Sequence, residues 1–214
     1  LSAGMDLVRV NHFMHFVIAE DQKGREKVER WKIRDRIGDF IALVRRWHPD
    51  FNSVENRDFV DDEITYKLEA SRKANELLGK EEFSALVAQE DYEEVISRLK
   101  QIGHSTNLLY LSTPDSGDLA VLHCDQAPKR EIVESFFDLL WGEGDSVARL
   151  ARYFSRIDEL ELPNKWVTPT YYLFLFDPES EYIVKPSATK WLLDFFGAPF
   201  SYSSKTDSRF YAKL

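Results

Sequence analysis

Cysteine is nearly absent from this sequence of 214 residues, since Cys124 is the only one. One cysteine excludes an intrachain disulfide and a metal site built on a cysteine framework. The scarcity is typical of proteins that fold in a reducing compartment. We therefore expect a cytoplasmic protein.

Long apolar runs are also missing. No run reaches the ~18 residues that a membrane-spanning helix needs, and the N-terminus lacks the uninterrupted apolar core of a signal peptide. We therefore expect no membrane partner. The residues before Met5, Leu1 to Gly4, resemble the remnant of a cloning vector, and the end at Leu214 has no terminal signature. Both features favour a piece cut from a longer protein.

Positive charge is in short supply. Lys and Arg number 28 against 37 Asp and Glu, which gives a formal net charge of -9 and a pI near 5.1. This balance opposes non-specific coating of DNA, because phosphate affinity comes from clustered cations. It leaves room for a local basic face. The 43% hydrophobic and 14% aromatic content is enough for a core and argues against wholesale disorder.

Motifs for nucleotide and acyl chemistry are lacking. Gly142-Glu-Gly144 does not continue to the Gly-Lys-Ser/Thr ending of a phosphate-binding loop. No serine lies in a nucleophile elbow. With no catalytic set and no cofactor motif, we predict a chain that is not an enzyme.

Candidate metal ligands are present but incomplete. His12 and His15 have a helical spacing that suits a metal, yet no third ligand follows at a suitable distance. Acidic clusters leave a metal-dependent nuclease open as an alternative, although solvated helix faces explain such clusters equally well. The clusters are Asp61-Asp-Glu63, Glu81-Glu82, Glu90-Asp91 and Glu93-Glu94.

Helical periodicity dominates the sequence. Apolar residues over 23–47 recur at three- and four-residue steps, which predicts an amphipathic helix that Pro49 ends. Its expected buried face comprises Trp31, Ile37, Phe40, Ile41, Val44 and Trp47. Further helices are expected at 59–78, 80–88, 92–102, 132–141, 146–157, 168–176 and 187–196. Asp91 is a predicted N-cap, and Gly197 is predicted to follow the last helix.

One segment has a different pattern of apolar residues. Short apolar runs flank a turn-rich stretch within 107–122, which predicts a β-hairpin. The expected fold class is therefore mainly α (α+β), a helical domain with a small inserted hairpin. We expect an N-terminal helical segment over 5–79 and a helical domain over 80–214, or one continuous domain.

The tripeptide His48-Pro-Asp50 follows a basic helix and resembles the signature of J-domain co-chaperones, in which it signals to an ATPase partner. The usual companions of this signature are missing from the sequence. The alternative is a helix end, with His48 near the helix dipole and Pro49 as the stop.

The C-terminal third interleaves lysines with flat rings. Rings stack on extruded bases and lysines hold phosphates, although aromatic stripes more often fill a core. The candidate nucleic-acid contacts are Lys165, Trp166, Lys185, Lys190 and Trp191, with Arg45, Arg46 and His48 as a second patch.

Several segments in order carry a resemblance to a known family. They are Glu76-Leu-Leu-Gly-Lys80, Asp91-Tyr-Glu-Glu-Val-Ile96, Asn107-Leu-Leu-Tyr110, Gly117-Asp-Leu-Ala-Val-Leu122, Leu162-Pro-Asn-Lys-Trp166, Thr168-Pro-Thr-Tyr171 and Val184-Lys-Pro186. Together they resemble a helical region, covering roughly 77–214, of prokaryotic defence proteins associated with McrB-type AAA+ GTPases, which restrict modified DNA.

The resemblance implies a recognition module that binds DNA, with or without modified bases, or an AAA+ motor or nuclease subunit. No AAA+ motif is present in the chain itself. The resemblance transfers no binding residue by position, so the candidate contacts rest on residue type alone.

Overall fold

The computed structural model describes residues 33–53, 55–111, 113, 116–123 and 128–214. Within these ranges the chain is mainly helical, which confirms the predicted class. The candidate metal ligands His12 and His15, together with Trp31 and Cys124, lie outside the described residues.

Ten α-helices lie in the described ranges. They are α1 (Ile33–Val44), α2 (Arg57–Phe59), α3 (Thr65–Leu78), α4 (Lys80–Ala88), α5 (Tyr92–Gly103), α6 (Lys129–Trp141), α7 (Ser146–Glu159), α8 (Val167–Phe176), α9 (Pro186–Phe196) and α10 (Ser208–Tyr211). A π-helical turn, Val60–Ile64, joins α2 to α3, and a 3₁₀ turn spans Ala120–Leu122.

Several helix ends follow directly from side chains. Asp91 accepts a hydrogen bond from the Glu94 amide at 3.2 Å, which confirms it as the N-cap of α5. Gly197 follows α9 with φ of 65°, a left-handed conformation that glycine adopts without strain. The predicted end of α9 is therefore confirmed.

The chain forms two compact units. Of the described residues, unit 1 holds 33–53, 55–67 and 185–202, and unit 2 holds the remainder from 68 to 184 together with 203–214. The chain passes from unit 1 to unit 2 inside α3, after Lys67. Gly79, the domain boundary expected from the sequence, lies between α3 and α4.

Unit 1 has a small aromatic core. Its buried members are Phe40, Val44, Phe51, Phe59, Leu192 and Phe196. Phe40 meets the rings of Phe195 and Phe196 at centroid distances of 6.2 and 5.8 Å. The predicted apolar face of α1 is thus confirmed at Phe40 and Val44.

Unit 2 is organised around α6, which packs against α4, α5, α7 and α8. The ring of Phe136 meets Tyr153 and Tyr172 edge-on, at 5.3 and 5.2 Å. Helix α8 is buried from Val167 to Leu175, as expected for a helix that is apolar on all sides. In the described part of the chain, no helix is long and apolar enough to cross a membrane.

The predicted β-hairpin within 107–122 is wrong for the residues that the structure describes there. The Asp118 amide donates to the Tyr110 carbonyl at 2.8 Å, which would begin a ladder. The Tyr110 amide, however, donates to the Asp118 carboxylate at 2.7 Å instead of to a backbone carbonyl. The side chain thus replaces the backbone acceptor, and the chain continues into the 3₁₀ turn.

Candidate nucleic-acid interface

A tight turn over residues 45–51 follows α1, and we call it the recognition turn. The amides of Trp47 and His48 both donate to the Val44 carbonyl at 3.0 Å, and the Phe51 amide donates to the His48 carbonyl at 2.9 Å. The Nε atom of Arg45 donates to the Phe51 carbonyl at 2.8 Å. The side chain of Arg45, the first residue of the turn, therefore fixes the backbone of Phe51, the last residue.

Two buried rings fix the recognition turn to unit 1. His48 is only 7% exposed, and its ring meets Phe59 edge-on at 5.4 Å. The buried ring of Phe51 meets the same phenylalanine at 5.1 Å. The prediction of His48 as a contact residue needs correction, because a side chain buried to this degree anchors the turn and does not face a ligand.

The other side of the recognition turn faces solvent. Arg45 and Arg46 are exposed, and Trp47 is 40% exposed. Among the described residues, no carboxylate lies within ion-pair distance of Arg46. The turn thus presents two guanidinium groups beside an aromatic ring. Guanidinium groups suit phosphates, and an indole ring offers a flat face for stacking.

Sequence reasoning missed Trp47 as a surface residue. Periodicity placed it on the buried face of a helix that was expected to run to residue 47. The helix ends at Val44, so helical spacing no longer decides where the later side chains point. The arginine pair before Trp47 and the proline after His48 were the available signals of an exposed helix end.

Lys165 and Trp166 have structural roles in unit 2, contrary to their prediction as nucleic-acid contacts. The Nζ atom of Lys165 donates to the carbonyls of Ser116 and Gly117, at 2.5 and 2.8 Å. Trp166 is 2% exposed, and its Nε1 donates to the Ser203 carbonyl at 3.0 Å. The lysine fastens a loop and the tryptophan fills the core.

Three further candidates lie on or next to α9 in unit 1. Lys190 is exposed. Trp191 is half-buried and stacks on Phe195, with ring centroids 5.0 Å apart and an interplanar angle of 24°. Lys185 precedes the helix and is partly buried. Trp191 therefore covers the apolar core, and Lys190 is the one of these three that is fully at the surface.

A buried ion pair lies close to Lys185. Lys67 Nζ is 3.7 Å from the Glu63 carboxylate and donates to the Glu63 carbonyl at 2.7 Å. Burial lowers the pKa of Lys67 from 10.5 to about 8; Glu63 opposes this shift, and the charge of Lys185 adds to it. Glu63 belongs to the π-helical turn, a rare form that is frequent at functional sites.

The candidate contacts divide between the two units. Arg45 and Arg46 are adjacent on the recognition turn, while Lys165 and Trp166 belong to the other unit. Only the recognition turn combines exposed cations with an exposed large ring in consecutive positions of the described chain.

The acidic clusters do not converge on a metal site in the part of the chain that the structure describes, where no three His, Cys, Asp or Glu side chains form a suitable group. Several of these carboxylates instead pair with cations. Arg98 lies 2.7 Å from Glu82 and 2.8 Å from Glu94, and Arg57 lies 3.7 Å from Asp61. These pairs account for the exposed carboxylates as parts of solvated helix faces, whereas Glu63 is buried in its pair with Lys67.

Comparisons with protein-family models, curated proteins and solved structures found no match. Function is therefore inferred from the residues and their geometry.

Proposed function

We propose that the chain is a non-enzymatic recognition module of a prokaryotic restriction or defence protein, and that it binds nucleic acid through the recognition turn. The observation that carries this proposal is the exposed sequence Arg45-Arg46-Trp47 on a turn fastened by the buried rings of His48 and Phe51. A surface held rigid before binding loses less conformational entropy when a ligand arrives.

The charge of the whole chain sets the expected strength of binding. With a net charge of -9, the protein repels phosphate at long range, so we expect affinity to come from local cations such as those at the turn. Such binding is weak at physiological salt and strengthens as salt is lowered. The resemblance to McrB-associated regions, which covers roughly 77–214 and not the turn, makes DNA, including modified DNA, the first ligand to test.

The J-domain alternative receives no support from His48. A signalling tripeptide has to reach its partner, whereas His48 is buried against Phe59. Pro49 and Asp50 are exposed, but the histidine that precedes them faces the core. We therefore assign this tripeptide a role in shaping the turn.

The proposal is tested with Arg46→Ala and a matched control, Arg72→Ala. Both arginines are exposed, but Arg72 pairs with Glu76 within α3. Binding of a fluorescent duplex, with and without 5-methylcytosine, is followed by anisotropy across a series of salt concentrations. We expect Arg46→Ala to weaken binding and to reduce the slope of log K against log salt by about 1, the value for one lost phosphate contact.

The control should keep the wild-type slope, and both variants should unfold at the wild-type temperature. Equal slopes for the wild type and Arg46→Ala would remove the turn from the interface. Flat titrations for every oligonucleotide would end the nucleic-acid proposal and favour a partner subunit as the ligand.

A further inference from the structure

We infer that Trp47 makes the recognition turn select unpaired nucleotides, so that the module prefers single-stranded nucleic acid to duplex. This inference rests on the proposed function and names the ligand class of the same turn. Its starting point is the position of a large exposed ring directly after two exposed arginines.

The backbone on both sides of Trp47 is held in place. Its amide donates to the Val44 carbonyl, and Val44 is fully buried in the core of unit 1. The next residue, His48, is buried against Phe59. The ring therefore stands on a fixed base with few rotatable bonds of its own, which reduces the entropy lost when a ligand stacks on it.

Stacking on this ring requires an unpaired base. In a duplex each base already stacks on its neighbours, so a protein surface reaches phosphates and base edges but not the flat faces. A single strand exposes those faces, and an aromatic side chain stacks on them with little dependence on sequence. Trp47 therefore adds affinity for a single strand and adds little for a duplex.

The arginines supply the complementary half of the site. Arg45 is oriented by the hydrogen bond from its Nε to the Phe51 carbonyl, and this bond leaves the two terminal nitrogens of its guanidinium for a ligand. Arg46 has no ion-pair partner among the described residues. A base on the indole with its neighbouring phosphates on the guanidinium groups uses all three side chains at once.

Tyr110 offers a contrast within the same chain. It is 64% exposed, more than Trp47, but it belongs to unit 2 and follows the apolar pair Leu108 and Leu109. No cation adjoins it in sequence. A ring without flanking cations lacks the phosphate contacts, so Tyr110 serves as a matched control for exposed aromatic surface.

The test compares a fluorescent oligothymidylate of about ten nucleotides, within the range of site sizes for single-strand binding, with a duplex of the same length. Both are titrated by anisotropy at low salt with the wild type, Trp47→Ala, Trp47→Phe and Tyr110→Ala. We expect Trp47→Ala to lose about tenfold in affinity for the single strand, which corresponds to the stacking of one base. Its affinity for the duplex should stay at the wild-type level.

Trp47→Phe keeps a ring and should retain most of the single-strand affinity, and Tyr110→Ala should match the wild type. Unchanged single-strand binding by Trp47→Ala, or an equal loss for both ligands, would overturn the inference. Duplex binding that depends on Arg46, without a preference for the single strand, would overturn it while leaving the proposed function intact. No binding of either ligand by the wild type would overturn both.

Discussion

His48 is a polar residue whose burial gives it a structural role. Its ring packs on Phe59, and its Nε2 atom is buried without a hydrogen-bond partner in the described part of the molecule. The ring therefore contributes mainly as an apolar surface that fixes the end of the recognition turn. The exposed arginines before it depend on this anchor for their position.

Substitutions of His48 distinguish this structural role from direct contact with a ligand. We expect His48→Ala to lower the free energy of unfolding by about 2 kcal/mol, because it leaves a cavity in the core. His48→Leu should lose less, since it fills much of that space and removes the unpaired nitrogen. Urea unfolding measures both values. Folded His48→Leu should bind nucleic acid like the wild type, and a selective loss of binding would show that the ring contacts the ligand.

Lys67 adds a pH dependence to the stability of unit 1. Its pKa is about 8 in the folded chain, where burial disfavours the charge, and 10.5 in the unperturbed side chain. Between these values the unfolded state binds more protons than the folded state, so the free energy of unfolding rises with pH. Below about pH 8 both states are protonated, and the full penalty of the buried charge remains.

A double variant tests this relation. We expect the wild type to gain about 2 kcal/mol of stability between pH 7 and pH 9.5, relative to Glu63→Leu combined with Lys67→Met, which lacks both charges. Urea unfolding at the two pH values provides the measurement. Titrating groups that the two proteins share contribute equally to both pH profiles, so they cancel in the difference. Parallel pH profiles for the two proteins would contradict the lowered pKa.

At the scale of elements, α8 holds neighbouring segments through its buried hydroxyl groups. Tyr172 donates to the Leu99 carbonyl at 2.7 Å, and Tyr171 donates to the Ile102 carbonyl at 3.1 Å, both near the end of α5. Burial raises the pKa of Tyr172 well above its usual value, so it stays a neutral donor. Thr170 donates to the Trp166 carbonyl at 2.7 Å and accepts from the Val184 amide at 3.0 Å.

The Thr170 hydroxyl is the element contact that a single substitution tests most cleanly. Thr170→Val preserves the shape but leaves the buried Val184 amide without its acceptor, and we expect a loss of about 1–3 kcal/mol. Thr170→Ser keeps the hydroxyl and should lose less. Chemical unfolding of the two variants gives the comparison. Equal stabilities would mean that the hydroxyl contributes little to holding the segment after α8.

Elements were predictable where a local signal decides the outcome. Periodicity was enough to predict α4, α5 and α9. For α5 and α9 a cap residue, Asp91 or Gly197, also marked one end of the helix. The hairpin prediction was wrong because the Asp118 side chain takes the place of a backbone acceptor, which no alternation pattern reveals. The turn after α1 packs against Phe59, which belongs to the next helix, so the periodicity of α1 did not predict its geometry.

The candidate site was less predictable than the fold, since residue type alone does not reveal burial. Trp166 and Trp47 are both tryptophans beside a cation, yet Trp166 packs between Phe154 and Phe210 while Trp47 faces solvent. Lys165 was a plausible phosphate contact until its bonds to two loop carbonyls were known. Tertiary packing, and not the sequence pattern, decides which of these side chains is buried and which is exposed.

At the scale of the whole molecule, a small cationic and aromatic surface lies on an acidic protein. The chain has a net charge of -9, and among the described residues the recognition turn is where exposed arginines and an exposed tryptophan are consecutive. Ligand binding should change the recognition turn and leave most of unit 2 as it is.

Hydrogen–deuterium exchange with and without a short single-stranded oligonucleotide tests whether the ligand binds at the recognition turn. The amides of Trp47 and His48 donate to the Val44 carbonyl, and the Phe51 amide donates to the His48 carbonyl. These hydrogen bonds should give the turn a measurable exchange rate without ligand. We expect slower exchange over residues 45–51 at low salt, no change in α6 or α7, and loss of the effect at high salt. Unchanged exchange over 45–51 at saturating oligonucleotide, or protection confined to unit 2, would contradict this expectation.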